Sequence, residues 1–335
     1  MTEKIDFVVT WVDGSDQVWK RKHDETLDID SVENAGDSDT RYRDYDLFKF
    51  WFRAVELFAP WVNHVYVVTD NQIPNFLDTD YSKVSVVDHK DFIPHEYLPT
   101  FNSNVIEMFI DQIPGLSENF VLFNDDMFLN KKTKPEDFFK NGLARDQLIF
   151  QPLFPEDWFD HIRLTNLVFL NQNFRKHKVV LKHFFKIFNY KYRGKNLYNL
   201  FSIPYNRFNG FYDPHISTAY TRSQISTVRE QFELEIFQAS HKVRHENEAS
   251  IWLMRYVRLL KGEFAPQSIT FGKNFMVSDV DNIVRAIETS KYSVIGINDE
   301  ETLDEVDSYT GALNKAFENK YNFISDFEKR GDYND

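Results

Sequence analysis

Four apolar runs in this sequence end in polar, mostly acidic residues. They are 5–12 (IDFVVTWV) before Asp13, 65–69 (VYVVT) before Asp70, 120–123 (FVLF) before Asn124, Asp125 and Asp126, and 293–297 (SVIGI) before Asn298, Asp299 and Glu300. If the runs are parallel strands of one open sheet, their carboxyl ends meet along one edge, where ligands of α/β proteins bind. Asp125 and Asp126 form the sharpest of these features, because adjacent carboxylates repel unless a divalent cation or a shared proton neutralises them. Oxygen ligands of this kind suit Mg²⁺ or Mn²⁺, and those cations suit phosphate-bearing substrates. A single Asp after a strand also reads as a terminator or as the cap of the next helix. For Asp70 that structural reading is preferred, whereas the paired Asp125 and Asp126 favour the cation.

Two further residues have chemistry suited to such a site. His215 lies in a loop rich in Asn, Gly and Pro (206–215, NRFNGFYDPH), a setting that fits a general base or a phosphate contact. Arg244, in VRHENE, offers a fixed planar cation for a phosphoryl oxygen, or alternatively pairs with Glu246 or Glu248.

The elements that must position these groups alternate between strand and helix. The run 5–12 is a buried strand leading into the turn at Asp13-Gly14. Residues 24–40 are acidic and poor in apolar groups, and read as a loop. From Asp46, apolar residues recur at helical spacing until Pro60 ends the helix. Strands follow at 65–69 and 84–87, then a helix over 103–113, the strand at 120 and a further strand over 147–151. The alternation predicts a parallel sheet with right-handed crossovers. Residues 160–200 read as mostly helical, as do 223–230 and 246–260. Three parts result: 1–150, with the carboxylate-bearing strand ends; 151–265, a mainly helical insertion that holds His215 and Arg244; and 266–335, returning to the core.

The 335 residues suffice for a sizeable core, and 33 of them are Phe, most of which belong inside. A net charge of −13 argues against a nucleic-acid groove. The segment 175–193 (RKHKVVLKHFFKIFNYKYR) is a local basic exception. It reads first as a solvated helix packed on its apolar side, and second as a surface that touches a membrane or an anionic polysaccharide. With no cysteine, disulfides and thiolate metal sites are excluded. No signal-peptide profile or membrane span is seen, so a cytoplasmic location is expected, with peripheral attachment to the membrane left open.

These blocks together resemble the Stealth family of sugar-1-phosphate transferases. The first block is IDFVVTWVDGSD at 5–16. The second runs from Arg41 (RYRDYDLFKFWFRAVELFAPWVNHVYVVTDNQIP) through LPTFNSNVIE to LFNDDMFL. The third surrounds Asp213-Pro214-His215 and extends to Arg244, and the fourth is INDE at 297–300. In the third, His215-Ile216-Ser217 departs from the His-x-Pro of other members, and Val243 stands where an aromatic precedes the Arg.

The resemblance implies an α/β fold with a Rossmann-like (GT-A-like), mostly parallel sheet and a largely helical insertion. It implies transfer of a hexose-1-phosphate or HexNAc-1-phosphate from a UDP-sugar to a hydroxyl of an oligosaccharide or polysaccharide acceptor, with release of UMP. On that reading Asp125 and Asp126 hold the cation, with Asp299 as a further ligand. His215 takes the acceptor proton and Arg244 stabilises the transferring phosphoryl group. Trp11, Asp13 and Gly14 meet the nucleotide, and Arg41, Asn102 and Asn104 line the donor or acceptor pocket. A capsular or cell-surface polysaccharide is the expected product. Two other readings compete: a metal-dependent GT-A glycosyltransferase that releases UDP, and a non-catalytic carbohydrate-binding protein.

Overall fold

A computed structural model describes residues 3–30, 46–156, 159–238, 240–243, 248–300 and 306–330. The chain opens with β1 (Ile5–Thr10), α1 (Gln17–Asp30) and α2 (Phe48–Phe58), followed by β2 (Val65–Thr69), β3 (Val84–Asp88) and α3 (Ser103–Met108). Next come β4 (Asn119–Asn124), β5 (Met127–Leu129), α4 (Pro135–Phe138), β6 (Phe139–Lys140) and β7 (Leu143–Asp146). A helical stretch follows, with α5 (Phe159–Asn173), α6 (Lys176–Ile187) and α7 (Asn196–Ser202). The remainder is β8 (Thr218–Thr221), α8 (Arg222–Gln231), α9 (Glu233–Gln238), α10 (Ile251–Lys261), β9 (Ala265–Pro266), β10 (Gly272–Met276), α11 (Val280–Thr289), β11 (Val294–Asn298) and α12 (Val306–Lys320).

The main sheet has the order β3-β2-β1-β4-β8. Its first four strands are parallel and β8 is antiparallel to β4, which is the expected mostly parallel, Rossmann-like α/β arrangement. Both faces are covered, so the strands carry apolar residues in both phases of the pleat. Phe7, Val9, Val65, Val67, Val121 and Phe123 enter one core with α2, α11 and α12. Val8, Tyr66, Val68, Phe120 and Leu122 enter the other with α3, α8 and α10. A second sheet, β10-β11-β5, and a third, β6-β7-β9, complete the fold. The three sequence parts therefore share sheets: β8, from the 151–265 stretch, closes the main sheet, and β11, from the C-terminal stretch, pairs with β5.

Several elements differ from the sequence reading. The acidic stretch from Asp24 begins as helix, since α1 continues to Asp30. Its buried stripe consists of Trp19, His23 and Thr26, each 6% exposed. His23 stacks on Trp19, and both rings meet Phe101 edge-on. Two of these three positions are polar, so apolar periodicity does not reveal the helix. Residues 31–40 lie outside the described residues. The strand expected over 147–151 falls instead at β7, four residues earlier. The helix expected over 103–113 stops at Met108 and continues as a separate 3₁₀ turn at Ile110–Gln112.

Asp146, at the end of β7, explains part of the architecture. It is fully enclosed and accepts hydrogen bonds from Arg255 Nη2 at 2.7 Å and Nε at 2.9 Å, and also from Arg258. Burial pushes its carboxyl up, but the two guanidinium groups outweigh that and hold it below the usual carboxylate range. Arg255 also donates to the Tyr212 carbonyl at 3.2 Å, so α10 braces the loop that carries His215.

Candidate functional site

β4 lies between β1 and β8, and at its end the chain leaves the main sheet. Asp125 and Asp126 form the turn, after which β5 pairs with β11 of the second sheet. The joint is fixed by a backbone hydrogen bond from Ile297 N to Asp126 O at 3.0 Å. Asp126 Oδ1 is buried and has no hydrogen-bond partner among the described residues. Burial pushes the Asp126 carboxyl up, and the charge of His215 pulls it the other way, which places the histidine within electrostatic reach of the carboxylate.

His215 arrives there on a constrained loop. Its φ is 44°, in the left-handed region that side chains seldom occupy. An Asx turn holds it, with His215 N donating to Asp213 Oδ1 at 3.0 Å. Upstream, Tyr212 N donates to Ile149 O and Leu153 N to Asn209 O. A Cβ on Gly210 would lie 2.4 Å from Gln151 O, so this part of the loop packs backbone to backbone. On the other side a Cβ on Gly296 would stand 2.5 Å from Asn274 Oδ1 and 3.0 Å from His215 O. Glycine in β11 is what lets the loop lie against the second sheet.

β11 ends at Asn298, and Asp299 follows. Asp299 Oδ1 accepts from Glu300 N at 2.7 Å, and Glu300 Oε2 accepts from Ser278 N at 2.9 Å. Asn298 Oδ1, Asn274 Oδ1, Asp213 Oδ2 and Ser217 Oγ are buried without hydrogen-bond partners among the described residues. Together with Asp126 Oδ1, they belong to the segments that meet where the DD turn, the His215 loop and β10-β11 converge. Buried oxygens without donors have an affinity for a cation or for donors on a ligand. Asn274 did not stand out in the sequence, because only the packing of β10, β11 and the loop brings it to the others.

This donor set suits a hard divalent cation. Among the described residues no three His, Asp or Glu side chains converge as a ready-made cation cage, so Asp125, Asp126 and Asp299 do not form one. Mg²⁺ is commonly held by one or two carboxylates, with phosphate oxygens and water completing its shell. The oxygen-only chemistry around Asp126 fits that mode.

The first strand's edge is built differently. Trp11 stacks on Phe48 with ring centroids 5.6 Å apart and planes 6° from parallel. Asp13 Oδ1 accepts from Ser15 N at 2.8 Å and Ser15 Oγ at 2.6 Å, which closes the turn through Gly14. Gln72, not singled out from sequence, clamps that turn. Its Oε1 accepts from Asp13 N at 3.0 Å, and its Nε2 donates to Asp13 O at 2.9 Å and Asp16 Oδ2 at 3.2 Å. Asp70 is held by Lys22 at 2.5 Å, in keeping with its structural reading.

Asn102 and Asn104 sit at the start of α3. Asn102 Oδ1 caps the helix through Asn104 N at 3.1 Å. Both amides grip Glu248, which is fully buried: Asn102 Nδ2 donates to Oε1 at 2.5 Å and Asn104 Nδ2 to Oε2 at 2.8 Å. Asn102 Nδ2 also reaches His241 O at 3.0 Å. These two residues therefore anchor both ends of the segment that contains Arg244. Arg244 itself and Arg41 lie outside the described residues.

The family models for Stealth protein conserved region 1 and conserved region 2 match residues 3–31 and 41–163. The exopolysaccharide phosphotransferase cps2G of Lactiplantibacillus plantarum is 43% identical over 328 residues, covering 97% of this chain and 96% of that protein. The capsular polysaccharide phosphotransferase WcwK of Streptococcus pneumoniae is 42% identical over 332 residues, covering 98% and 99%. Among solved structures, the galactosyltransferase LgtC in complex with donor and acceptor sugar analogs aligns with a TM-score of 0.38 at 11% identity, over 92% of this chain and 95% of that one. The chain belongs to the Stealth family, and with it to the transferase enzymes.

Proposed function

We propose that the protein transfers a hexose-1-phosphate or HexNAc-1-phosphate from a UDP-sugar to a carbohydrate hydroxyl, in capsular or cell-surface polysaccharide synthesis. The acceptor oxygen bonds to the β-phosphorus, the bond from that phosphorus to the bridging oxygen breaks, and UMP leaves, so that a phosphodiester remains. The observation that carries this reading is the buried, unpartnered Asp126 Oδ1 within electrostatic reach of His215, in a chain so similar to polysaccharide phosphotransferases.

Asp126 and Asp125 would hold Mg²⁺ or Mn²⁺, with Asp299 and the Asn298 amide oxygen at the neighbouring strand end. When bound, such a cation neutralises charge on the diphosphate. His215 takes the proton of the acceptor hydroxyl, a role supported by the Asx turn at Asp213 that fixes its backbone. Arg244 stabilises the transferring phosphoryl group, on a segment tethered by Glu248. Trp11 and the Asp13-Gly14 turn meet the nucleotide, and Arg41 lines the donor or acceptor pocket. The enzyme works in the cytoplasm, peripheral to the inner face of the cell membrane.

The test is incubation with a panel of UDP-sugars, Mg²⁺ and an oligosaccharide acceptor, followed by analysis of the released nucleotide. UMP is expected. UDP as the acceptor-dependent product would instead identify glycosyl transfer at the anomeric carbon and overturn the reading.

A further inference from the structure

The stretch 161–212 holds ten Lys and Arg and no Asp or Glu, in a chain whose net charge is −13. Much of it folds into the hairpin of α6 and α7, which presents large apolar side chains on its outside. The outward positions of α6 include Leu181 (79% exposed) and Phe185 (84%), and those of α7 include Leu197 (56%) and Phe201 (70%). Leu197 and Phe201 are four apart in α7 and so share a face, while Leu181 and Phe185 flank the kink of α6 at His183. Inward, α6 buries Val179 and Ile187 together with Lys176, and α7 buries Asn199 and Ser202. Asn199 is fully buried, accepts from Phe150 N at 2.7 Å and donates to Leu148 O at 3.2 Å and Ile187 O at 2.8 Å. Lys176, also buried, donates to Ser202 O and stands over the Phe150 ring.

Each helix thus fixes a buried polar group beside the segment 148–150, and each leaves large apolar side chains outside. Lys186 adds a further anchor through Gly262 O at 2.7 Å and Phe264 O at 2.8 Å. The face is rigidly held, apolar and ringed with exposed cations. Lys178 and Lys182 each lie three residues before an apolar anchor on α6. Tyr190 (82% exposed) and Tyr205 (61%) extend the surface beyond the helices. Water offers no reason for this arrangement, whereas the boundary between anionic headgroups and acyl chains satisfies both its apolar and its cationic parts.

We propose that the α6–α7 hairpin is a docking surface for an anionic phospholipid bilayer. Leu181, Phe185, Leu197 and Phe201 enter the headgroup boundary, and Lys178 and Lys182 meet lipid phosphates. Lys195, in the connection between the helices, lies 4.1 Å from the Tyr212 ring centroid, so docking holds the His215 loop beside the membrane. This deepens the membrane-side placement given above. Vesicle binding needs no donor sugar, so its failure would leave the transfer reaction untouched.

The experiment is co-sedimentation of the full chain with vesicles of phosphatidylcholine alone or mixed with phosphatidylglycerol, across a salt series. Binding to the anionic vesicles, weakening with salt, is expected. Lys178→Glu/Lys182→Glu should lower the partition coefficient by at least about 25-fold, at roughly fivefold for each cation lost near the surface. Phe185→Ser/Phe201→Ser should also release the protein, and both variants should keep the wild-type melting curve, since all four side chains are exposed. Absence of a preference for anionic vesicles, or sedimentation of either variant like wild type, would overturn the proposal. So would a wild-type dimer that Phe185→Ser/Phe201→Ser dissociates without any vesicle binding, or retention on an anionic polysaccharide alone.

Discussion

Replacing Asp126 with Asn should separate stability from activity. The substitution keeps the side-chain shape but removes a negative charge whose Oδ1 lacks a hydrogen-bond partner among the described residues. An unsatisfied buried acceptor costs more when it is charged than when it is neutral, by about 1–2 kcal/mol. For 335 residues, an unfolding entropy of about 2 cal/mol/K per residue converts that gain into a melting temperature roughly 2–3 °C higher. Transfer should fall by at least about 10²–10³-fold, the scale of losing one electrostatic stabiliser at a reacting centre. Wild type at a Mg²⁺ concentration a hundred times its dissociation constant should gain about 2.7 kcal/mol, or about 4 °C. Asp126→Asn should gain almost nothing from Mg²⁺. Thermal melts with and without Mg²⁺, paired with UMP release, measure all three quantities. A variant that melts below wild type, responds equally to Mg²⁺ or turns over within tenfold of wild type would refute the reasoning.

Other consequences follow from groups that support the site. Asp146→Ala leaves Arg255 and Arg258 buried without their carboxylate and should cost about 3–5 kcal/mol, measurable by urea unfolding. Glu248→Gln turns an amide donor toward Asn102 or Asn104 and should cost about 1–3 kcal/mol while lowering transfer, through displacement of the segment carrying Arg244. His89 is pushed down to about 4 by burial, against the pull of Asp70 and Asp88. It is therefore neutral when folded, whereas the unfolded chain takes up its proton near pH 6.5. The associated stability is complete above pH 6.5 and is lost as pH falls through about 4, up to about 3 kcal/mol. Denaturant titrations at successive pH values should show this slope in wild type and a shallower one in His89→Gln.

The legible parts of the sequence were those whose chemistry is local. The apolar run before Asn124 could only be a strand covered on both faces, and the aromatic repeat of α2 matches one buried helix face. Asp125 and Asp126 stood out because their repulsion is a property of neighbours in sequence. β7, by contrast, reads LARD, and its Asp146 becomes intelligible only beside two arginines more than a hundred residues away. Arg255 and Arg258 within the apolar run of α10 carried a usable signal, since buried cations require a partner. Gln72 and Asn274 offered none, because an amide's role depends on which backbone it faces.

The carboxylate turn is also the joint by which one sheet is attached to another. β4 belongs to the main sheet, β5 to the second, and the peptide of Asp126 is bonded to the incoming strand at Ile297. A small slip between the two sheets would therefore change the reach of the carboxylates before it cost the fold much stability. On the proposed reading, the packing of Phe128 and Leu129 against Ile295 and Phe317 would then tune the reaction rate without any polar contact to substrate. Substitution at those apolar positions would then alter turnover while leaving every polar group of the proposed site in place.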